Sequence, residues 1–265
     1  MVYAMISAIE SIGRSALNTS ASFHQTLTFT AHIILRLFTL KTYNSASRMV
    51  FISQFYFTAV QILPLFLLVA VIFGSMVNGM AFQAIKDLGL SDYLGRLLMG
   101  FVVTEISPFV TVLLIALRSS SAINAEIAVM KVNRELYTLE SFNIDIIDYL
   151  FVPRILIGML SMVLLSSLFS LVVLSIGLLV SSVIFGTGVD AYIDILLRSA
   201  SVPDMIIVLL KCATFGFFIT LIPIDQGLTA SQDLTSVPIA VLNGMVKVFL
   251  AIVVIEVLSS IVRFI

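Results

Sequence analysis

The sequence predicts an all-α integral membrane protein: an interfacial N-terminal helix, five membrane-spanning helices, and a structured helix outside the bilayer between the second and third spans. Composition is the first reason. The chain is 60% hydrophobic and 11% charged, with 20 Phe, 11 Met and no Trp, and its mean hydropathy is +1.16, too apolar for a soluble globular domain. The second reason is that the apolar residues fall in five runs, each long enough to cross about 30 Å of hydrocarbon. The third is a polar island, Arg118 to Arg154, holding Arg118, Glu126, Lys131, Arg134, Glu135, Glu140, Asp145, Asp148 and Arg154 between two of those runs. Charge at that density belongs in water.

Taken in order, residues 1–54 are only mildly apolar, and His32-Ile-Ile-Leu-Arg-Leu-Phe-Thr-Leu40 is too short to span but suited to lie in the interface. This segment reads as one or two interfacial helices. The first span is expected at about 55–80, kinked near Pro64, with Gly74, Ser75 and Gly79 forming a small-residue face for close helix approach. A short polar link precedes the second span, about 97–117. In the island, Ser119, Ser120 and Ser121 offer N-cap oxygens, and Ile123, Ile127 and Met130 share one helical face. That pattern predicts a short amphipathic helix lying across the membrane face. Pro153 suits the first turn of the third span, about 155–185. Ser201-Val-Pro203-Asp204 suits the start of the fourth, about 206–224, and the fifth runs from Pro238 to about 262.

The links allow a charge comparison. With the N-terminus, the island and the 225–236 link on one side, that side carries Arg14, Arg36, Lys41, Arg48, Arg118, Lys131, Arg134 and Arg154; the other carries Lys86, Arg96, Arg198 and Arg263. The excess of basic residues puts the N-terminus in the cytoplasm and the C-terminus outside.

Glu105, Lys211, Lys247 and Glu256 fall within spans. An uncompensated charge at the bilayer centre costs at least about 2.5–3.5 kcal/mol, so each needs a partner or a wet cavity. Depth along the spans pairs Lys211 with Glu256 and leaves Glu105 with Lys247. These groups serve either as ion pairs that hold the bundle or as the polar lining of a substrate path. Several chemistries are excluded. The net charge of −1 offers no basic stripe for nucleic acid. No phosphate-binding GxxxxGK[ST] loop is present, His24 and His32 have no partners at metal-ligand spacing, and the serine run lacks a nucleophile motif. Cys212 lies in an apolar run and reads as a small buried hydrophobe. Nothing marks an enzyme, a metal site or a bound cofactor.

The residues Glu105-Ile-Ser-Pro108, Arg118, Ala125-Glu126-Ile127 with Met130, Pro153-Arg154, Phe215-Gly216 and Gly227 together resemble the MlaE (YrbE) family of permease subunits from Mla-type ABC phospholipid transporters. The resemblance covers roughly residues 50–262, and makes residues 55–265 an MlaE-like permease domain. It implies a homodimer enclosing a lipid cavity in the bacterial inner membrane. It also implies a cytoplasmic ABC ATPase that binds the ATP, a periplasmic MCE-domain lipid-binding protein, a small STAS-domain regulator and a phospholipid substrate. The helix between spans two and three becomes the ATPase-coupling helix, with Arg118, Glu126, Met130, Lys131, Arg134 and Arg154 at or near that contact. Glu126→Lys is then expected to uncouple the chain without unfolding it. Val77, Met80, Glu105, Lys211, Lys247 and Glu256 fall to the lipid pathway. Where the family reads Arg-Glu-Leu-Gly-Pro this chain has Thr104-Glu-Ile-Ser-Pro108, and Leu117-Arg-Ser-Ser-Ser121 replaces Gly-Arg-Ala-Gly-Ser. The implied function is phospholipid movement between the inner and outer membranes in support of outer-membrane asymmetry. An ion-coupled secondary transporter, working through the intramembrane charges, and a non-transporting scaffold are the alternatives.

Overall fold

A computed structural model describes residues 28–37, 51–88, 94–184, 188–231 and 233–264; the expectations for Arg14, Lys41 and Arg48 lie outside the described residues. Among the described residues the chain is helical throughout, without a strand. Helix α1 is Thr28–Leu37, and the five helices long and apolar enough to cross a membrane are α2 (Phe51–Gln83), α3 (Gly95–Val132), α5 (Ile147–Val183), α7 (Val202–Gly227) and α8 (Ser236–Arg263). Between them lie α4 (Glu135–Ser141) and α6 (Val189–Ser199). Each of the five expected spans is found, with moved boundaries.

The main core is apolar. Phe66, Val112, Phe169, Phe215 and Val248 are fully buried where α2, α3, α5, α7 and α8 meet, and Phe66 meets Phe169 edge-on with ring centroids 5.9 Å apart. Glycines set the closest approach. A Cβ on Gly216 of α7 would lie 2.5 Å from Met159 Cα on α5, and one on Gly74 of α2 would lie 2.9 Å from Ile176 Cδ1. These positions stay bare so that backbones can touch. Gly79, the other end of the expected small-residue face, has open space around it instead. Helix α6 is fixed by Tyr192, which is buried and donates to Leu174 O at 3.2 Å; burial pushes its hydroxyl up to about 12.

A second core forms at the island end, where Ile33 of α1 joins Ile123 and Ile127 of α3, Ile155 of α5 and Ile224 of α7. Arg36 ties α1 to the island through Asp145 at 3.2 Å and Asp148 at 2.7 Å. The α1 helix and the island therefore share one end of the bundle.

Three expectations need correction. The helix starting at Ser119–Ser121 does not start there: α3 runs on through a π-helical stretch, Ala116–Ser120, into Ser121–Val132, and Ser120 keeps helical dihedrals with no side-chain cap. Two of the three serine hydroxyls bond carbonyls rather than N–H groups, Ser120 Oγ to Ile219 O at 2.5 Å and Ser121 Oγ to Leu117 O at 2.7 Å. With those hydroxyls used between and along helices, nothing breaks the ladder. Pro153 does not open the third span, because Ile147–Phe151 adds a π-helical turn ahead of it. The chain deforms near Pro64, but one turn earlier, in the π-helical Tyr56–Val60 and the turn at 61–62. Proline has no N–H for the carbonyl four residues back, so the ladder shifts upstream. Helix α2 begins at Phe51, ahead of the first span expected at about 55.

Candidate functional site

Two charged constellations occupy opposite ends of the bundle, and α3, α7 and α8 reach both. At the end away from the island, Lys211 of α7 is the centre; its side chain is 2% exposed. Its ammonium donates to Glu105 Oε2 on α3 at 2.5 Å and to Glu256 Oε1 on α8 at 2.9 Å. Arg263 of α8 donates to the other Glu105 oxygen at 3.0 Å and to Thr104 Oγ1 at 2.6 Å. Two cations thus meet two carboxylates across three helices, which offsets part of the cost of placing charge among apolar spans. Glu256 Oε2 is left buried without a hydrogen-bond partner among the described residues.

Of the two expected pairs, Lys211 with Glu256 is present. Glu105 does not pair with Lys247, which is exposed on α8. Helix periodicity explains why. From Glu256 to Lys247 is nine residues, about two and a half turns, which puts Lys247 on the opposite face; from Glu256 to Arg263 is seven residues, about two turns, which puts Arg263 on the same face. Arg263 was the missed member. Its signal was that spacing, available from the sequence but overlooked because the residue lies at the helix end.

Beside this cluster a groove of about 430 Å³ opens between α7 and α8, with Leu210, Thr214, Val254 and Leu258 on its walls and Lys211 among its lining residues. On α2, Val77 packs against the main core while Met80 is 61% exposed.

At the island end, Arg154 is buried at the start of α5 and donates to Glu126 Oε1 on α3 at 2.5 Å; the Glu126 side chain remains 50% exposed. Lys131 donates to Leu228 O just past α7. Asn124 donates to Ala240 O on α8 at 3.1 Å. Gly227 lets α7 approach α3 closely, since a Cβ there would lie 2.8 Å from Ile127 Cβ. Met130 packs beside the second core, Arg118 sits part-buried on the π-helical turn, and Arg134 is exposed with φ 60, in the left-handed region, where α3 gives way to α4. Four of the six island residues singled out from the sequence, Glu126, Met130, Lys131 and Arg154, are therefore in contact with α5, α7 or the second core.

The family described as Permease MlaE matches residues 51–262. The chain is 29% identical over 182 residues to the chloroplastic protein TRIGALACTOSYLDIACYLGLYCEROL 1 of Arabidopsis thaliana, covering 65% of this chain and 52% of that one. It is 30% identical to a probable ABC transporter permease protein of Synechocystis, with 62% of each chain covered. It is 33% identical to the intermembrane phospholipid transport system permease protein MlaE of Haemophilus influenzae, over 44% of this chain and 45% of that one. The matched stretches span between about half and three fifths of the first two relatives.

Proposed function

The chain belongs to the MlaE permease family, and from that premise we propose that it is the transmembrane subunit of an ABC transporter that moves phospholipids between the inner and outer membranes and so maintains outer-membrane lipid asymmetry. The observation that carries the reading is the family match over residues 51–262. The names of the Haemophilus and Synechocystis relatives, a phospholipid transport permease and an ABC permease, support the substrate and the drive.

The geometry fits that work. The ATPase is a separate cytoplasmic subunit and binds the ATP. It pushes on the island, where α3 is keyed to α5 by Glu126 and Arg154, to the end of α7 by Lys131, and to α8 by Asn124. At their far ends the same α3, α7 and α8 carry Glu105, Lys211, Glu256 and Arg263. Displacement at one end is delivered to the ion cluster at the other. There the cluster meets a phospholipid headgroup, and the groove between α7 and α8 takes an acyl chain beside Lys211. Val77 and Met80 on α2 continue the apolar path, Lys247 stands farther along α8, and Arg118 and Arg134 stay with the coupling end.

The chain sits in the bacterial inner membrane as a homodimer, with its N-terminus and island cytoplasmic and its C-terminus periplasmic. Its remaining partners are a periplasmic MCE-domain protein and a small STAS-domain regulator. The test is reconstitution of the full chain with and without its co-purifying ATPase in liposomes carrying labelled phospholipid. Lipid movement that needs both ATPase and ATP is expected. Movement of a solute by the chain alone, driven by an ion gradient, would overturn the reading in favour of a secondary transporter.

A further inference from the structure

A second cavity, of about 420 Å³, lies between α2 and α3 at the island end, with Ser53, Gln54, Thr58 and Gln61 on one wall and Arg118 and Ser119 on the other. We propose that this cavity is a binding site for a phosphoryl oxyanion, held by Arg118.

Charge is the first argument. Arg118 Nη1 is buried and has no hydrogen-bond partner among the described residues, and Ser119 Oγ is in the same condition. Glu126 is the one acidic lining residue, and it is already taken by Arg154, whose Nε and Nη1 are themselves buried without partners. Arg118 therefore shares the cavity with a single carboxylate, and that carboxylate already accepts from Arg154. The far cluster is different, because there Lys211 and Arg263 are matched by Glu105 and Glu256. A buried donor left unsatisfied is costly, and more so when charged; at this end the orphaned charged atoms are donors, Arg118 Nη1 and Arg154 Nε and Nη1, whereas at the far end the orphaned atom is an acceptor, Glu256 Oε2. The complement is an anion with several acceptor oxygens, and the planar guanidinium fork fits phosphoryl oxygens.

Backbone geometry is the second argument, independent of charge. Both walls are π-helical turns: Tyr56–Val60 contributes Phe57 and Thr58, and Ala116–Ser120 contributes Arg118 and Ser119. Two of the four π-helical stretches among the described residues therefore meet at this one cavity, and such stretches are frequent at functional sites. The amides of Gln54 and Gln61 and the hydroxyls of Ser53 and Thr58 add neutral donors without cancelling the positive charge.

The oxyanion belongs either to a phospholipid headgroup or to a soluble phosphate compound. The lipid form of the inference rests on the permease reading; the oxyanion form does not. The test uses the full chain in non-ionic detergent with Cys212 replaced by Ala and a fluorophore on Ala122→Cys at the cavity wall. It is titrated with dihexanoyl phosphatidylglycerol, inorganic phosphate and, as the uncharged control, dihexanoylglycerol. A saturating response to a phosphate-bearing ligand is expected, at least about tenfold weaker in Arg118→Gln, only partly restored in Arg118→Lys, and unchanged in Arg198→Gln, exposed on α6. Response to the lipid alone identifies a headgroup; response to inorganic phosphate at similar concentration identifies a soluble ligand. Gln61→Ala, weakening the response by at least about threefold, serves if Arg118→Gln does not fold. A response that dihexanoylglycerol matches, or that neither Arg118→Gln nor Gln61→Ala alters, overturns the site. A silent cavity in a chain that still moves lipid with ATP removes this site alone, and a responsive cavity in a chain that moves none removes the permease reading alone.

Discussion

Lys211 carries more consequence than any other single side chain, because it is buried between two carboxylates on different helices. Removing one partner of a buried ion pair typically costs about 3–5 kcal/mol, since the remaining charge is stranded. Lys211→Met is therefore expected to lower thermal stability in detergent by an amount of that order, whereas Lys247→Met, exposed on the opposite face of α8, should change it by less than about 0.5 kcal/mol. Thermal melts of the two variants side by side check this, and equal losses would sink the assignment of Lys211 as the hub. The same reasoning alters the expectation for Glu126. Glu126→Lys would set a second cation against buried Arg154, so it cannot leave the fold untouched; Glu126→Gln removes the charge and keeps a hydrogen-bond acceptor for Arg154. It should retain the fold while reducing lipid-stimulated ATP turnover of the reconstituted complex, and unchanged turnover would count against a coupling role. At this scale the sequence was readable where periodicity applied. The spacing of Lys247, Glu256 and Arg263 contained the right answer, and depth counting along idealised spans obscured it, because Glu105 lies in a π-helical stretch, Leu98–Ile106, whose wider turns advance less per residue.

The five spans were legible as elements, because burying about 20 apolar residues against lipid requires a helix whatever the neighbours are. Their ends were not, since an end is decided by whether the next backbone groups find partners elsewhere. The serine run shows the difference: as an isolated string it reads as a cap, but in the bundle Ser120 bonds Ile219 O across to α7, and α3 continues to Val132. Continuity matters for function, because a helix that passes unbroken from the ion cluster to the island transmits force as a hinged loop would not. The approach of α5 to α7 is the companion constraint. Gly216 faces Met159 Cα and Gly158 O, so Gly216→Leu has nowhere to go without moving one helix, and overpacking of this kind costs about 1–3 kcal/mol or more. Loss of monodisperse protein in size-exclusion chromatography is the expected result, while Gly188→Leu, in open space ahead of α6, should elute as the parent does.

For the whole molecule the question is what covers the sides left bare. Helices α2 and α8 are the least covered spans: Leu65, Leu68, Ile72, Met76 and Met80 stay exposed along α2, and Leu242, Val246, Leu250 and Val257 along α8. Apolar exposure alone does not separate lipid from protein contact, since tails are as apolar as leucine and spans associate through packing instead. Gly79 adds something specific, a stretch of α2 without overhanging side chains where a second backbone can come near. If two copies meet along α2, the path past Met80 becomes the inside of one shared cavity, and a lipid has a protected route that one copy does not enclose. Single cysteines placed in the Cys212→Ala chain test this in native membranes. Met80→Cys, 61% exposed on α2, is expected to give a disulfide-linked dimer on mild oxidation, and Leu171→Cys, 63% exposed on α5, is not. Equal exposure with unequal crosslinking would locate the dimer seam, and the reverse pattern would move the cavity to the α5 side.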